Sequence, residues 1–121
     1  NYSTTLNDCD RTKTYAKFTD DKEKSDLYER WPDLTITEFD CLAKQDFWER
    51  EYLKHGRCCS DKFDRVQYFA LAMALKDKFD LLKSLRNHGI IRGSSYSVGK
   101  INSTIKAITR GFPNLTCSRL R

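Results

Sequence analysis

Only two histidines, His55 and His88, occur among the 121 residues, with two prolines, one methionine and five glycines. So few histidines cannot build a histidine-rich metal cage, and so few prolines leave long stretches free to be helical. No apolar run approaches the roughly 18–20 residues that cross a bilayer, so no spanning helix is expected. No segment reads as a signal or transit peptide, and any targeting sequence is expected outside these residues. Internal repeats and low-complexity stretches are also missing. The most informative absence is of negative charge: residues 81–121 contain neither Asp nor Glu. That stretch carries Lys83, Arg86, Arg92, Lys100, Lys106, Arg110, Arg119 and Arg121, a charge of +8. Residues 1–80 hold 14 basic and 17 acidic groups, so the net +5 belongs to the second part of the chain. A basic surface of this kind attracts phosphate backbones. The plainer alternative is a solvated face balanced by an acidic segment elsewhere.

What is present points to one globular domain. Hydrophobic residues make up 39% and charged residues 32%, a balance that disordered and membrane chains do not show. Five cysteines in so short a chain suggest an oxidising compartment, and their odd number leaves one free or paired outside the chain. Three glycosylation sequons begin at Asn1, Asn102 and Asn114. Together with Cys9, Cys41, Cys58, Cys59 and Cys117 they mark a secreted, extracellular glycoprotein.

Residues 1–19 are polar and without period, which predicts a loop held by Cys9. Residues 20–30 have helical composition and stop at Trp31-Pro32. Residues 34–37 alternate and form a candidate short extended piece. A helix is expected over 44–57, ended by Gly56. The clearest periodicity covers 61–88, where Phe63, Val66, Phe69, Met73, Leu75, Phe79, Leu82 and Leu85 recur at helical spacing and are expected to be core. Ser60 or Asp61 would cap its start and Gly89 would close it in the left-handed conformation. A last helix is expected over 97–109, ending at Gly111.

The segment Phe47-Trp48-Glu49-Arg50-Glu51-Tyr52-Leu53-Lys54-His55-Gly56-Arg57-Cys58-Cys59 carries the chemistry. On a helix turning roughly 100° per residue, Phe47, Arg50, Glu51, Lys54 and His55 share a face. Glu51 and His55 stand four apart, and a histidine in the last turn gains from the helix dipole and the carboxylate. Such an imidazole suits proton abstraction, while Arg50 and Lys54 can hold a phosphate. An ordinary amphipathic helix with a surface ion pair would also fit the spacing. A metal site built from His55, Cys58, Cys59 and His88 is weaker, because adjacent cysteines in secreted chains readily pair and structural zinc wants four well-spaced ligands. A Cys/His nucleophilic pair is weaker still where cysteines are oxidised.

Phe47-Trp48 followed by Glu51-Tyr52, Lys54-His55-Gly56 and Cys58 resembles the second active-site segment of the ribonuclease T2 family. Tyr68 to Leu82, then Leu85-Arg86-Asn87-His88-Gly89-Ile90, together with Glu29-Arg30-Trp31-Pro32-Asp33-Leu34-Thr35, resemble the self-incompatibility ribonucleases of the nightshade family in particular. The resemblance extends over nearly the whole chain. It implies an α+β fold, of which residues 1–121 form one partial domain that is mostly helical. Part of the central sheet, the C-terminal strands and the first active-site segment, His-Gly-Leu-Trp-Pro, are not among them.

The activity implied is endonucleolytic cleavage of single-stranded RNA by a monomer, without metal or other cofactor. The ribose 2′-hydroxyl attacks phosphorus, leaving a 2′,3′-cyclic phosphate and then a 3′-phosphate, so both lyase and hydrolase describe it. By position His55 would be the general base, and Glu51 and Lys54 would stabilise the pentacoordinate phosphate. Arg50 stands where many members carry a phosphate-contacting histidine; arginine binds phosphate but shuttles no proton. The second catalytic histidine has no counterpart, since His88 sits in a helix-ending Asn87-His88-Gly89. The resemblance also pairs Cys9 with Cys58 and sends Cys117 to a downstream partner, leaving Cys41 and Cys59 as a pair. Residues 10–40 would be the allele-variable surface read by a pollen-side recognition protein. A catalytically inert recognition glycoprotein is the alternative from another class.

Overall fold

The computed structural model describes residues 6–117. Among the described residues there are six α-helices, one 3₁₀ turn and no strand. The helices are α1 (Asp21–Arg30), α2 (Glu38–Lys44), α3 (Asp46–Lys54), α4 (Arg65–Phe79), α5 (Leu81–Asn87) and α6 (Val98–Thr109), and the 3₁₀ turn, Gly56–Cys59, follows α3. Helices alone are what a piece carrying little of the expected sheet should contain. The chain divides into two compact units that part between Ala74 and Leu75.

In the first unit α1, α2 and α4 begin where a polar side chain takes an orphan N–H, whereas α3 starts at Gln45 without a side-chain cap. Asp20 accepts from Glu23 N to start α1, and Thr37 accepts from Asp40 N to start α2. Asp64 and Gln67 cap α4 reciprocally: Gln67 N donates to Asp64 Oδ1 at 2.8 Å, and Asp64 N donates to Gln67 Oε1 at 3.0 Å. That exchange, rather than Ser60 or Asp61, sets the start of the helix.

Two expected helices are broken, both at positive φ. Gln45, at φ 57°, separates α2 from α3, so the expected helix over 44–57 is shorter and has an unforeseen neighbour in α2. Asp80, at φ 27°, separates α4 from α5, and its side chain accepts from Lys83 N. A side chain able to cap offers the backbone an alternative to continuing the helix. The expected extended piece at 34–37 is a turn, because Asp33 Oδ1 accepts from both Thr35 N at 2.9 Å and Thr35 Oγ1 at 2.6 Å. The last helix ends at Arg110, at φ 62°, one residue before Gly111.

The core of the first unit is aromatic. Trp48, Phe69, Leu27 and Cys41 are almost fully buried, with Phe18 and Tyr52 beside them. The Phe69 ring lies 5.2–6.4 Å from those of Tyr15, Phe18, Trp31, Tyr52 and Tyr68, mostly edge to face. The Arg65 guanidinium covers this cluster, 4.0 Å above the Phe18 ring. Trp48 Nε1 donates to Trp31 O at 2.8 Å, which docks α3 on the end of α1. Gln45 completes the arrangement from below: its Oε1 accepts from Tyr15 Oη and Phe18 N, and its Nε2 donates to Phe18 O and Leu42 O.

In the second unit α5 and α6 pack together. Ser97 caps α6 by accepting from Lys100 N, and Gly89, at φ 73°, follows α5 in the left-handed conformation as expected. Here the burial reading fails. Of the eight residues expected as core, Phe69 alone is buried, while Val66, Leu75 and Leu82 are exposed. Val66 and Leu75 lie on α4 itself, whose apolar residues are spread around the helix, and Leu82 follows the break at Asp80, which resets the helical phase.

Gln45→Leu orphans the main-chain groups of Phe18 inside the core. Each orphaned buried group costs about 1–3 kcal/mol, so denaturant unfolding should show a loss of roughly 3 kcal/mol or more. Alkali gives a second test. Burial pushes the Tyr15 hydroxyl up to about 12, and burial raises Tyr52 and Tyr68 in the same direction. Unfolded tyrosines ionise near their ordinary value of about 10 and the folded ones later. Stability is therefore retained below that value and lost as pH rises from about 10 towards 12. Thermal melts in this range should shift down, and Tyr15→Phe should flatten the dependence.

Candidate active site

The site is built where α3 ends. Its last carbonyls would be orphaned, and the chain fills them with local donors. His55 N donates to Glu51 O at 2.9 Å, Arg57 Nε to Leu53 O at 2.6 Å, and Asp8 N to Lys54 O at 2.7 Å. The last of these brings the N-terminal segment against the helix end. Cys9–Cys58 locks it there, joining residues 49 apart with a Cα–Cα distance of 4.8 Å. Closing such a loop contributes about 4 kcal/mol in the chain-entropy account. Ser60 Oγ donates to Asp10 Oδ2 at 3.0 Å, and Arg57 Nη2 lies 3.9 Å from Asp8 Oδ1. Thr12 first, then Ser60, hold the Asp10 carboxyl below the usual carboxylate range by hydrogen bonds.

His55 is half-buried at the end of α3, with Nδ1 3.3 Å from Leu6 O. The expected Glu51–His55 ion pair is absent among the described residues. Glu51 is half-buried and its charge acts on Tyr68, whose hydroxyl is raised by burial, then by Cys59 and Glu51. Lys54 is exposed and makes no ion pair among the described residues. Arg50 lies elsewhere on the helix, its guanidinium 5.8 Å from the Phe47 ring. It adds to the lowering of Asp33, which the Thr35 hydroxyl dominates. Glu51 and Lys54 stand in the last turn of α3 and His55 caps it, with no side-chain hydrogen bond or ion pair joining the three among the described residues.

Gly56 is not the left-handed stop expected of it, since it has no positive φ. Its reason is space: a Cβ there would come within 2.4 Å of Tyr52 Cδ2, in a ring that is itself buried. The glycine lets the chain turn from α3 into the 3₁₀ turn directly over that ring.

The remaining cysteines depart from expectation. Cys41 and Cys59 are free thiols rather than a bridge. Cys41 is buried in α2, where burial raises its thiol and the Asp33 backbone contacts it. Cys59 Sγ instead donates to Gly56 O at 3.1 Å. Cys117 is exposed and free among the described residues. With Cys58 committed to a bridge, the metal set His55, Cys58, Cys59 and His88 loses a ligand. His88 ends α5, its backbone N–H and its Nδ1 both at Ser84 O. Asn114 is exposed, whereas Asn102 lies within α6 with Oδ1 buried and unpartnered and with Thr104 buried nearby. Asn1, Arg119 and Arg121 lie outside the described residues.

The model of the ribonuclease T2 family matches residues 1–121, and the chain belongs to that family. Within it, the similarity is to the self-incompatibility ribonucleases of nightshade plants. Ribonuclease S-2 of Nicotiana alata is 72% identical over 121 residues, which are 100% of this chain and 56% of that protein. The crystal structure of Nicotiana alata gametophytic self-incompatibility associated SF11-RNase superimposes with a TM-score of 0.90 at 38% identity, covering 98% of this chain and 60% of that one. Ribonuclease MC1 from bitter gourd seeds gives a TM-score of 0.69 at 28% identity, covering 93% and 56%, and a variant of it is known in complex with 5′-GMP. The chain spans about half the length of the curated relatives it matches.

Gly56→Ala forces the Tyr52 ring and the backbone of residue 56 apart. Overpacking of this kind costs about 1–3 kcal/mol. Chemical denaturation should show that loss, and a stability equal to wild type would contradict the steric role.

Proposed function

We propose that this chain is the central part of a secreted endoribonuclease that cleaves single-stranded RNA and serves as the stylar determinant of self-incompatibility. The observation that supports it most is that Glu51, Lys54 and His55 fall in the last turn and cap of α3, at the end backed by the Cys9–Cys58 bridge. His55 takes the proton of the ribose 2′-hydroxyl as its oxygen attacks phosphorus. Lys54 and Glu51 stabilise the pentacoordinate phosphate, and Arg50 attracts the backbone from the flank. The 5′-oxygen leaves with a proton from a second acid, a histidine outside these residues, and water then opens the 2′,3′-cyclic phosphate to a 3′-phosphate. Every proton moved belongs to a side chain, the ribose or water, and the reading assigns no step to a metal. The acid-free segment 81–117 adds long-range attraction for phosphates.

A recognition role fits beside catalysis. Leu34 is 89% exposed and Phe39 79% exposed, both within residues 10–40. Large apolar side chains held in water suit contact with a protein, here a pollen-side partner. Under this reading, cleavage is the toxic output and this surface the address. The protein acts as an extracellular monomer with glycans at the exposed Asn114 and at Asn1, whereas Asn102, its Oδ1 buried within α6, is a poor acceptor.

His55→Ala in the full-length protein tests the catalytic reading. Loss of a general base lowers turnover about 10²- to 10⁴-fold, here without change in the melting temperature. Cleavage of a fluorescent oligoribonucleotide reports it, and activity within a few-fold of wild type would sink the assignment. His88→Ala should leave turnover unchanged.

A further inference from the structure

The N-terminal segment does more than close a disulfide. Leu6 O lies 3.3 Å from Nδ1 of His55, two residues before Asp8 N, which donates to Lys54 O at 2.7 Å. Cys9 follows and is bonded to Cys58, and Ser60 Oγ holds Asp10 Oδ2 at 3.0 Å. Three fastenings over residues 8–10 therefore fix where the carbonyl of residue 6 stands. A carbonyl oxygen accepts and never donates, so the ring nitrogen facing it must carry the hydrogen. The two imidazole nitrogens are not equivalent, and the partner of one decides which of them is left to react.

We propose that the Leu6 carbonyl is a positioning group that holds His55 as its Nδ1–H tautomer, with the Cys9–Cys58 bridge and the Asp8–Lys54 hydrogen bond keeping it in place. The inference rests on His55 acting as the base. Nε2 then carries the lone pair that accepts the 2′-hydroxyl proton. The ring becomes imidazolium with Nδ1–H still on Leu6 O, and Nε2 gives the proton up afterwards. A ring free of the strap samples both tautomers, and the Nε2–H form has no lone pair where the substrate needs one. The strap therefore acts on the rate of the chemical step and leaves substrate binding alone.

The test uses full-length protein labelled with 15N-histidine, where long-range proton–nitrogen correlations distinguish the tautomers and His55→Ala assigns the signals. Wild-type His55, when neutral, should be wholly Nδ1–H. Asp8→Pro keeps the bridge but removes the N–H donor, and proline cannot adopt the φ of 54° found there. In that variant both tautomers should appear, and kcat should fall about ten- to a hundredfold with KM unchanged. The double variant Cys9→Ser/Cys58→Ser should do the same from the other fastening. An Nε2–H ring in wild-type protein overturns the proposal without reference to any variant. So does an unchanged tautomer in a folded, loosened strap. If the wild-type protein cleaves no RNA while its ring is Nδ1–H, the assignment of function fails and the positioning contact stands.

Discussion

The carboxamide of Gln45 is 2% exposed and sits at a backbone conformation that L-residues rarely adopt. Its two hydrogens and its oxygen are all taken, by Phe18 O, Leu42 O, Phe18 N and Tyr15 Oη. A buried amide is tolerable only when so satisfied, and a satisfied one specifies a single arrangement. The kink between α2 and α3 and the path of residues 15–18 are therefore one decision. Trp48, three residues beyond the kink, enters the core only because α3 sets off in this direction, and its indole N–H then secures the end of α1.

From that fixed base α3 carries its chemical groups outward to the other end. Charged side chains are costly inside an aromatic core, and those proposed for the site stand where the helix runs out. Exposed carbonyls are what such an end offers, and donors from the N-terminal segment, Arg57 and His55 itself occupy them. The helix end is consequently rigid in backbone while Lys54 stays in solvent. Phosphate chemistry needs this combination, since preorganised groups act without reorganising at the moment of reaction.

Much of this was legible in the sequence, though unevenly. The helix over residues 21–30, its stop at Trp31-Pro32, the left-handed Gly89 and the segment around His55 follow from local chemistry. The core does not follow, because the apolar residues of α4 are spread around the helix and Asp80 breaks the phase beyond it. Gly56 is legible as the end of a helix, but its cause is the Tyr52 ring beneath it and not a left-handed stop. Nothing in the spacing of Glu51 and His55 announces that the histidine faces Leu6, since residues 6 and 55 meet through the bridge and the hydrogen bonds of residues 8 and 10.

The sequence alone determined the kind of chemistry available: one histidine with a carboxylate and cations within a turn of it, a basic segment free of acids, and cysteines suited to an oxidising compartment. These are matters of residue type and short spacing, and helical geometry turns short spacing into proximity. Tertiary structure alone decided which neighbours those groups keep. It gave His55 a main-chain carbonyl, gave Glu51 the vicinity of Tyr68 in place of an ion pair, and kept Cys41 and Cys59 apart as thiols. Each of those outcomes depends on groups far apart in the chain, whose meeting is set by the buried amide, the aromatic core and one disulfide, and no local pattern encodes it.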